Sequence, residues 1–275
     1  MRDIWRLLPF SDEPMGRQLA LSEGMLAALE ETGAPALRWY VPAERALVLG
    51  NGQPVEAADR GALVEQATAL YKRPSGGTTV LVDETLLSLD IALPHTHTLA
   101  TTDVVRAYEW VGALWSAALR RLGATDARAI PTAEVRSLAP LAKDDPLRLA
   151  CYGTLSPWEV VSGAKPRKLV GLCQVRRRAG TLYQIGVYLR FDAAALASLL
   201  ALSPDERQML AARLSCAAIG LDEASGRRYT AARVSAAVER ELRARYTARL
   251  TSADWLPTEL ATADRLEAGR FRRLT

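Results

Sequence analysis

KLVGLCQVRRRAGTLYQIGVYLRF, residues 168–191, joins two runs rich in β-branched and aromatic residues across Ala179 and Gly180. Such a pair predicts an antiparallel hairpin closing over those two small residues. Upstream, ALRWYV (36–41), ALVLG (46–50), TTVLV (78–82), TLLSLDIAL (85–93) and PWEVV (157–161) read as further strands, with Asp83 and Glu84 at a second hairpin reversal. Between and around them the period changes to that of helices. Residues 16–31 repeat leucines and methionine at three and four and stop at Gly33. Residues 103–122 do the same with Thr102 as candidate N-cap and Gly123 as terminator. SPDERQMLAARL opens on a serine cap with an acidic first turn, and residues 231–249 and a piece after Pro257 continue as helices. The order predicts an α+β fold, a mixed or antiparallel β-sheet with helices packed against one face. Residues 1–195 form the expected main domain, and 196–275 a helical C-terminal extension packed on it, with no strand after the hairpin.

The bulk numbers bound the function. A chain of 275 residues, 49% hydrophobic and 24% charged, has an ordinary globular composition. The N-terminus lacks a signal-peptide core and no run reaches the roughly 18 apolar residues of a membrane span, so the expected location is cytoplasmic, with no membrane partner. A net charge of +4 forces no nucleic-acid footprint. The charge is uneven, however: residues 226–275 hold 11 Arg against 6 acidic residues, a face able to steer an acidic protein partner or simply a solvated helix surface. Cys151, Cys173 and Cys216 are odd in number and widely spaced, against both a disulfide framework and a thiolate metal site. His95 and His97 have no neighbouring carboxylate or thiol to complete a metal site, and a solvated loop is expected there.

Two constellations could carry chemistry. In YKRPSGGTTV (71–80), Gly76 and Gly77 allow positive φ and close approach of a ligand, and Lys72 and Arg73 could hold an anion; a simple turn fits the same residues. In CYGTLSPWEVVSGAKPRKLVGLCQVRRR (151–178), Lys168 stands at the mouth of a strand that carries Gly171 and Gln174. It could stabilise negative charge on a carbonyl oxygen, or simply lie in solvent. Cys151 could be a thiolate nucleophile among these cations, or an inert small residue; Cys173 reads as core.

Together WRLL (5–8), LRWY to ALVLGNGQ (37–53), RPSGGTTVLVDETLLSLDI (73–91) and the 151–178 block resemble the lipoate-protein ligase and octanoyltransferase superfamily, related to biotin-protein ligase. The resemblance implies a biotin/lipoate protein ligase-like catalytic domain and the transfer of octanoyl or lipoyl groups in protein lipoylation. It implies Cys151 and Lys168 as catalytic residues and Arg73, Ser75, Gly76, Gly77, Thr78, Gly171 and Gln174 as substrate-binding residues, with Leu49, Val80 and Leu81 walling an acyl tunnel. CYGTLSPWEVV looks like the cysteine-dependent branch of the family. Such a transferase needs no cofactor, and its partners are acyl carrier protein and lipoyl-domain proteins such as glycine cleavage H-protein or 2-oxoacid dehydrogenase subunits. The alternatives are an ATP- and Mg-dependent lipoate ligase, and a catalytically silent carrier-binding module. The last is motivated by Thr78, Val82 and Gln184, which stand where the family usually has a glycine and two histidines.

Overall fold

A computed structural model describes residues 3–274. Its strands are β1 (Ile4–Leu7), β2 (Ala36–Tyr40), β3 (Ala46–Leu49), β4 (Ala69–Lys72), β5 (Val80–Val82) and β6 (Leu86–Pro94). They are followed by β7 (Arg128–Ala129), β8 (Val160–Ser162), β9 (Arg167–Arg177), β10 (Gly180–Tyr188) and β11 (Arg249–Ser252). The helices are α1 (Met15–Ala27), α2 (Leu29–Thr32), α3 (Arg60–Glu65), α4 (Glu109–Arg121) and α5 (Thr132–Ser137). After the hairpin come α6 (Ala193–Ser198), α7 (Pro204–Ala217), α8 (Leu221–Ser225), α9 (Ala231–Arg245) and α10 (Pro257–Ala268). Among the described residues no helix is long and apolar enough to cross a membrane.

An eight-stranded mixed sheet runs β11-β1-β2-β6-β10-β9-β8-β7, and a separate three-stranded sheet runs β4-β3-β5. The expected β9–β10 hairpin is present. Gly180 pairs with Arg177, so Arg178 and Ala179 make the turn, one residue earlier than the alternation predicts. Asp83 and Glu84 do not close a hairpin. The Asp83 side chain accepts from the backbone and hydroxyl of Thr85, and the chain passes from β5 in the small sheet to β6 in the large one.

Alternation along β6 divides the molecule. Its odd residues Leu87, Leu89, Ile91 and Leu93 join Trp110, Leu114 and Trp115 of α4 and Val234 and Val238 of α9 in the largest core. Its even residues point the other way, where Leu86 meets α1 and the small sheet and Ala92 meets Met25 and Leu29. Helices therefore cover both faces, not the single face expected, and β6 is buried along its whole length. The C-terminal region also supplies a strand: β11 pairs in parallel with β1 at the sheet edge. RLTS is short and mostly exposed, so it carries neither alternation nor a hydrophobic run. Asp103, not Thr102, caps the entry to the central helix: its carboxylate accepts from Val105 and Arg106 at 2.9 Å, and α4 begins at Glu109.

One buried ion pair ties α1 to the centre of the sheet. Arg38 on β2 and Asp90 on β6 are fully buried and 2.8 Å apart. The guanidinium also donates to the Gln18 side chain at 2.6 Å and to the Ser22 hydroxyl at 2.9 Å, both on α1. Burial pushes the Asp90 carboxyl above the usual range, and Arg38 opposes that shift. Arg38→Met should lower stability by about 3–5 kcal/mol, because it leaves a buried carboxylate without its counter-charge. Asp90→Leu in the same background should recover most of the loss, read as the urea midpoint at constant m-value. A double variant as unstable as the single one would mean that packing, not charge, is what Arg38 supplies.

Candidate active site

The small sheet and the even face of the large sheet enclose a cavity of about 420 Å³. Met15 and Leu19 of α1, Val48 of β3, Val80 and Val82 of β5, and Leu86 of β6 give it an apolar wall. Leu49 and Leu81, expected in that wall, point to the opposite face of the small sheet and pack with Leu196 and Leu214. Both faces of β3 and β5 are apolar, so alternation cannot say which of them meets a cavity.

Arg73, Gly76, Gly77 and Thr78 line the cavity, as does Gly171. Arg73 folds back on its own loop. Its guanidinium donates to Gly76 O at 3.1 Å and to Thr78 O at 2.7 Å, clamping its own loop from the inside. Gly77 has φ +86, a conformation costly for any residue with a Cβ, and a Cβ there would come within 2.9 Å of the Arg73 guanidinium. Ser75 is buried beneath the loop, where it accepts from the Cys173 thiol at 3.5 Å. Burial pushes that thiol up, with Arg73 opposing, and Cys173 lines the cavity rather than an all-apolar core. Gln174 also lines the cavity, and its amide donates to Val104 O at 2.8 Å in the segment that leads to α4.

Backbone pairing delivers Cys151 to the same loop. The Cys151 N–H donates to Thr79 O at 2.9 Å and the Thr79 N–H to Leu149 O at 3.0 Å. Gln53, a residue to which sequence reading gave no role, reinforces this junction. It accepts from Gly50 N–H and the Thr79 hydroxyl and donates to Leu149 O.

Lys168 reaches the cavity through a β-bulge. Val161 and Val160 of β8 pair with Lys168 and Val170 of β9, which leaves Leu169 as the extra residue. Strict alternation would set Lys168 and Gly171 on opposite faces. Instead a Cβ on Gly171 would lie 3.5 Å from Lys168 Cε and 3.4 Å from the Tyr152 hydroxyl.

Lys168 is 2% exposed, so it is not the solvated lysine of a strand end. Its ammonium lies 2.6 Å from Glu159 Oε1 and donates to Cys151 O at 2.8 Å and Thr154 O at 3.2 Å. Cys151 Sγ is 3.9 Å away, and the Tyr152 ring centroid 5.3 Å. Burial alone would discharge the lysine, but the Cys151 sulfur and Glu159 outweigh it and hold Lys168 above the ordinary lysine range. Burial raises the Glu159 carboxyl and Lys168 works against it. A carboxylate that also accepts from Ser156 N–H at 2.8 Å and Leu172 N–H at 3.3 Å has the surroundings of an ion.

Glu159 is the residue that sequence reading missed, although WE stood in the strand motif. Trp158, at φ +72, turns the chain so that Glu159 points inward where β8 begins. The histidines lie elsewhere. His97 is not solvated: its ring packs edge-on against Trp5 at 5.3 Å and its Nε2 lies 2.5 Å from Asp3. His95 Nε2 is 2.7 Å from Arg177 O. Cys216 is exposed on α7.

Over 99% of its length the chain is 28% identical to the octanoyltransferase LipM of Moorella thermoacetica, covering 94% of that protein. It is 26% identical to the octanoyltransferase LipM of an Exiguobacterium species over 86% of this chain and 84% of that one. In fold it is similar to a bi-partite lipoate protein ligase of Thermoplasma acidophilum, solved in a study of that ligase and its E2 lipoyl domain. There the TM-score is 0.76 at 16% identity, with 98% and 93% of the two chains covered. Residues 14–243 match the model of the lipoyl protein ligase A/B catalytic domain, and the chain belongs to that family.

Proposed function

We propose that this protein transfers an octanoyl or lipoyl group from a carrier-bound thioester to a lysine amine of a lipoyl-domain protein, through a thioester on Cys151. The observation that carries the reading is the position of the Cys151 sulfur, 3.9 Å from a buried ammonium and on the lining of an apolar-walled cavity. The names of the two octanoyltransferase relatives support the acyl group, and the lipoyl domain studied with the archaeal ligase supports the class of acceptor.

In the first step the Cys151 thiolate attacks the carbonyl carbon of the donor thioester. A tetrahedral oxyanion forms, the carrier sulfur leaves, and the acyl group stays on Sγ. Lys168 is the donor nearest the developing oxyanion. Its bond to Thr154 O, at 3.2 Å the longest of the two to carbonyls, is the one to be exchanged for the oxyanion. In the second step the acceptor amine attacks the acyl carbon, the C–S bond breaks, and the amine proton ends on the Cys151 sulfur. The donor is already activated, so neither ATP nor Mg enters. The acyl chain lies along Met15, Leu19, Val48, Val80 and Val82, with about 0.8 kcal/mol gained per buried CH₂. Gln184, on the cavity wall, and Val82 make the lining less basic than the usual family histidines would.

Mixing the protein with octanoyl-loaded carrier protein should add one octanoyl group to its intact mass, and Cys151→Ala should show none. Lys168→Ala should slow formation of the adduct by about 10²–10³-fold. An unmodified wild type that releases pyrophosphate from ATP and free lipoate would establish the ligase reaction in its place. A protein silent by both routes would be the binding module. Val82→Phe should shift preference toward shorter acyl chains, with kcat/KM for octanoyl lowered about fourfold for each methylene that no longer fits. Equal losses for all chain lengths would place Val82 outside the acyl path.

A further inference from the structure

An acyl thioester on Cys151 would sit beside a primary amine of the protein's own. The acyl carbon is one bond from Sγ, and Lys168 Nζ is 3.9 Å from Sγ, so attack at about 3–3.5 Å needs little movement. A neutral Lys168 would take the acyl group: its nitrogen bonds to the carbonyl carbon, the C–S bond breaks, and the amine proton passes to the Cys151 sulfur. The product is an amide at Lys168, an inert enzyme. The chain has only four lysines, and Lys143 and Lys165 are exposed while Lys72 donates to Gln53 O. Lys168 is the lysine whose amine touches the nucleophile.

We infer that Glu159 is a positioning residue that guards the acyl-enzyme, holding Lys168 as an ammonium beside the thioester so that it donates hydrogen bonds and cannot accept the acyl group. The inference rests on the Cys151 thioester proposed above. Three features argue for it. Glu159 lies 2.6 Å from Nζ, closer than any other acceptor of that ammonium, and is itself 2% exposed. Its two oxygens are fixed by Ser156 N–H and Leu172 N–H, so the carboxylate cannot swing away with the lysine. The other ionisable groups facing Lys168 are Cys151, Cys173 and Tyr152, with Arg73 beyond them on the loop. Acylation leaves the Cys151 sulfur in a neutral thioester. Burial holds the Cys173 thiol and the Tyr152 phenol protonated, since it raises both. In the acyl-enzyme, the Glu159 carboxylate, 2.6 Å from Nζ and accepting two backbone N–H bonds that favour its charged form, is the counter-charge against Lys168.

Glu159→Gln keeps the volume and one acceptor oxygen but removes the charge. With an octanoyl thioester donor, the wild-type adduct should be released by hydroxylamine at about pH 7 and at about pH 9, both below the ordinary lysine value of about 10.4. In Glu159→Gln a hydroxylamine-resistant octanoyl group should build up, map to Lys168 by peptide mass, exceed wild type by about tenfold and rise with pH. Glu159→Asp should restore lability, and Glu159→Gln with Lys168→Arg should lose the resistant adduct. A Glu159→Gln adduct as labile as the wild type's at both pH values overturns the proposal.

A second measurement needs no thioester and separates this inference from the reading beneath it. Competitive labelling of Lys168 by acetic anhydride across pH should show its midpoint lowered by about one unit in Glu159→Gln, a tenfold larger neutral fraction. A wild type that never forms a labile adduct sinks the Cys151 reading, while an unmoved labelling midpoint sinks the role given to Glu159. Near-UV circular dichroism of each variant checks that the fold persists.

Discussion

A lysine ammonium out of water must find a counter-charge and acceptors for its three protons, and much of the site follows from that requirement at Lys168. The acceptors come from one short stretch of chain, the carbonyls of Cys151 and Thr154 and the carboxylate of Glu159. Residues 151–159 are thereby wrapped around the amine. The wrap explains a left-handed Trp158, a strained conformation for a bulky residue, at the point where the chain must turn Glu159 inward and then enter β8. It also places the sulfur of Cys151 3.9 Å from the ammonium. The bulge at Leu169 is the matching adjustment on the other side, since without it the lysine would point into the α4 core.

The larger architecture supplies two opposed surfaces and sets the site between them. On one face of the sheet four buried tryptophans pack edge to face in two pairs, Trp5 with Trp110 and Trp39 with Trp115, within the core shared with α4 and α9. On the other, the central strands carry small or polar residues, Ser88, Gly171, Gln184 and Gly186, where a packed core would need large apolar ones. The Tyr152 ring fills part of that space, its hydroxyl donating to Gly186 O at 2.7 Å and its ring against Tyr188 and Phe191. The cavity is what remains.

Local signals were legible in the sequence and relational ones were not. The β9–β10 hairpin, the stop at Gly33, which ends α2 because the expected single helix breaks at Ala28, and the Ser203–Glu206 capping box of α7 each depend on neighbours in the chain, and each was readable. At Asp83 the same residues fit a hairpin or a crossing to another sheet, and the difference lies in β3 and β10, far along the chain. β11 exists because β1 has an unpaired edge, a property absent from RLTS itself. In the site, Lys168, Cys151 and the Gly76–Gly77 loop were found by the company they keep in a family motif. Glu159 was not, because a glutamate in a strand pattern reads as a solvent-facing position until its partner is known to be buried.

The Arg73 clamp bears on how the cavity measures its ligand. A guanidinium holding two carbonyls of its own loop fixes that loop before anything binds, so binding need not order the chain, and little conformational entropy is lost at each turnover. A wall made in advance does not yield gradually. Forcing an additional methylene into a well-packed space costs about 1–3 kcal/mol, against roughly 0.8 kcal/mol gained when a methylene fits. The response to chain length should then be a cliff on one side and a gentle slope on the other. The enzyme would act as a ruler with a hard stop, tolerating acyl groups too short for it far better than those too long.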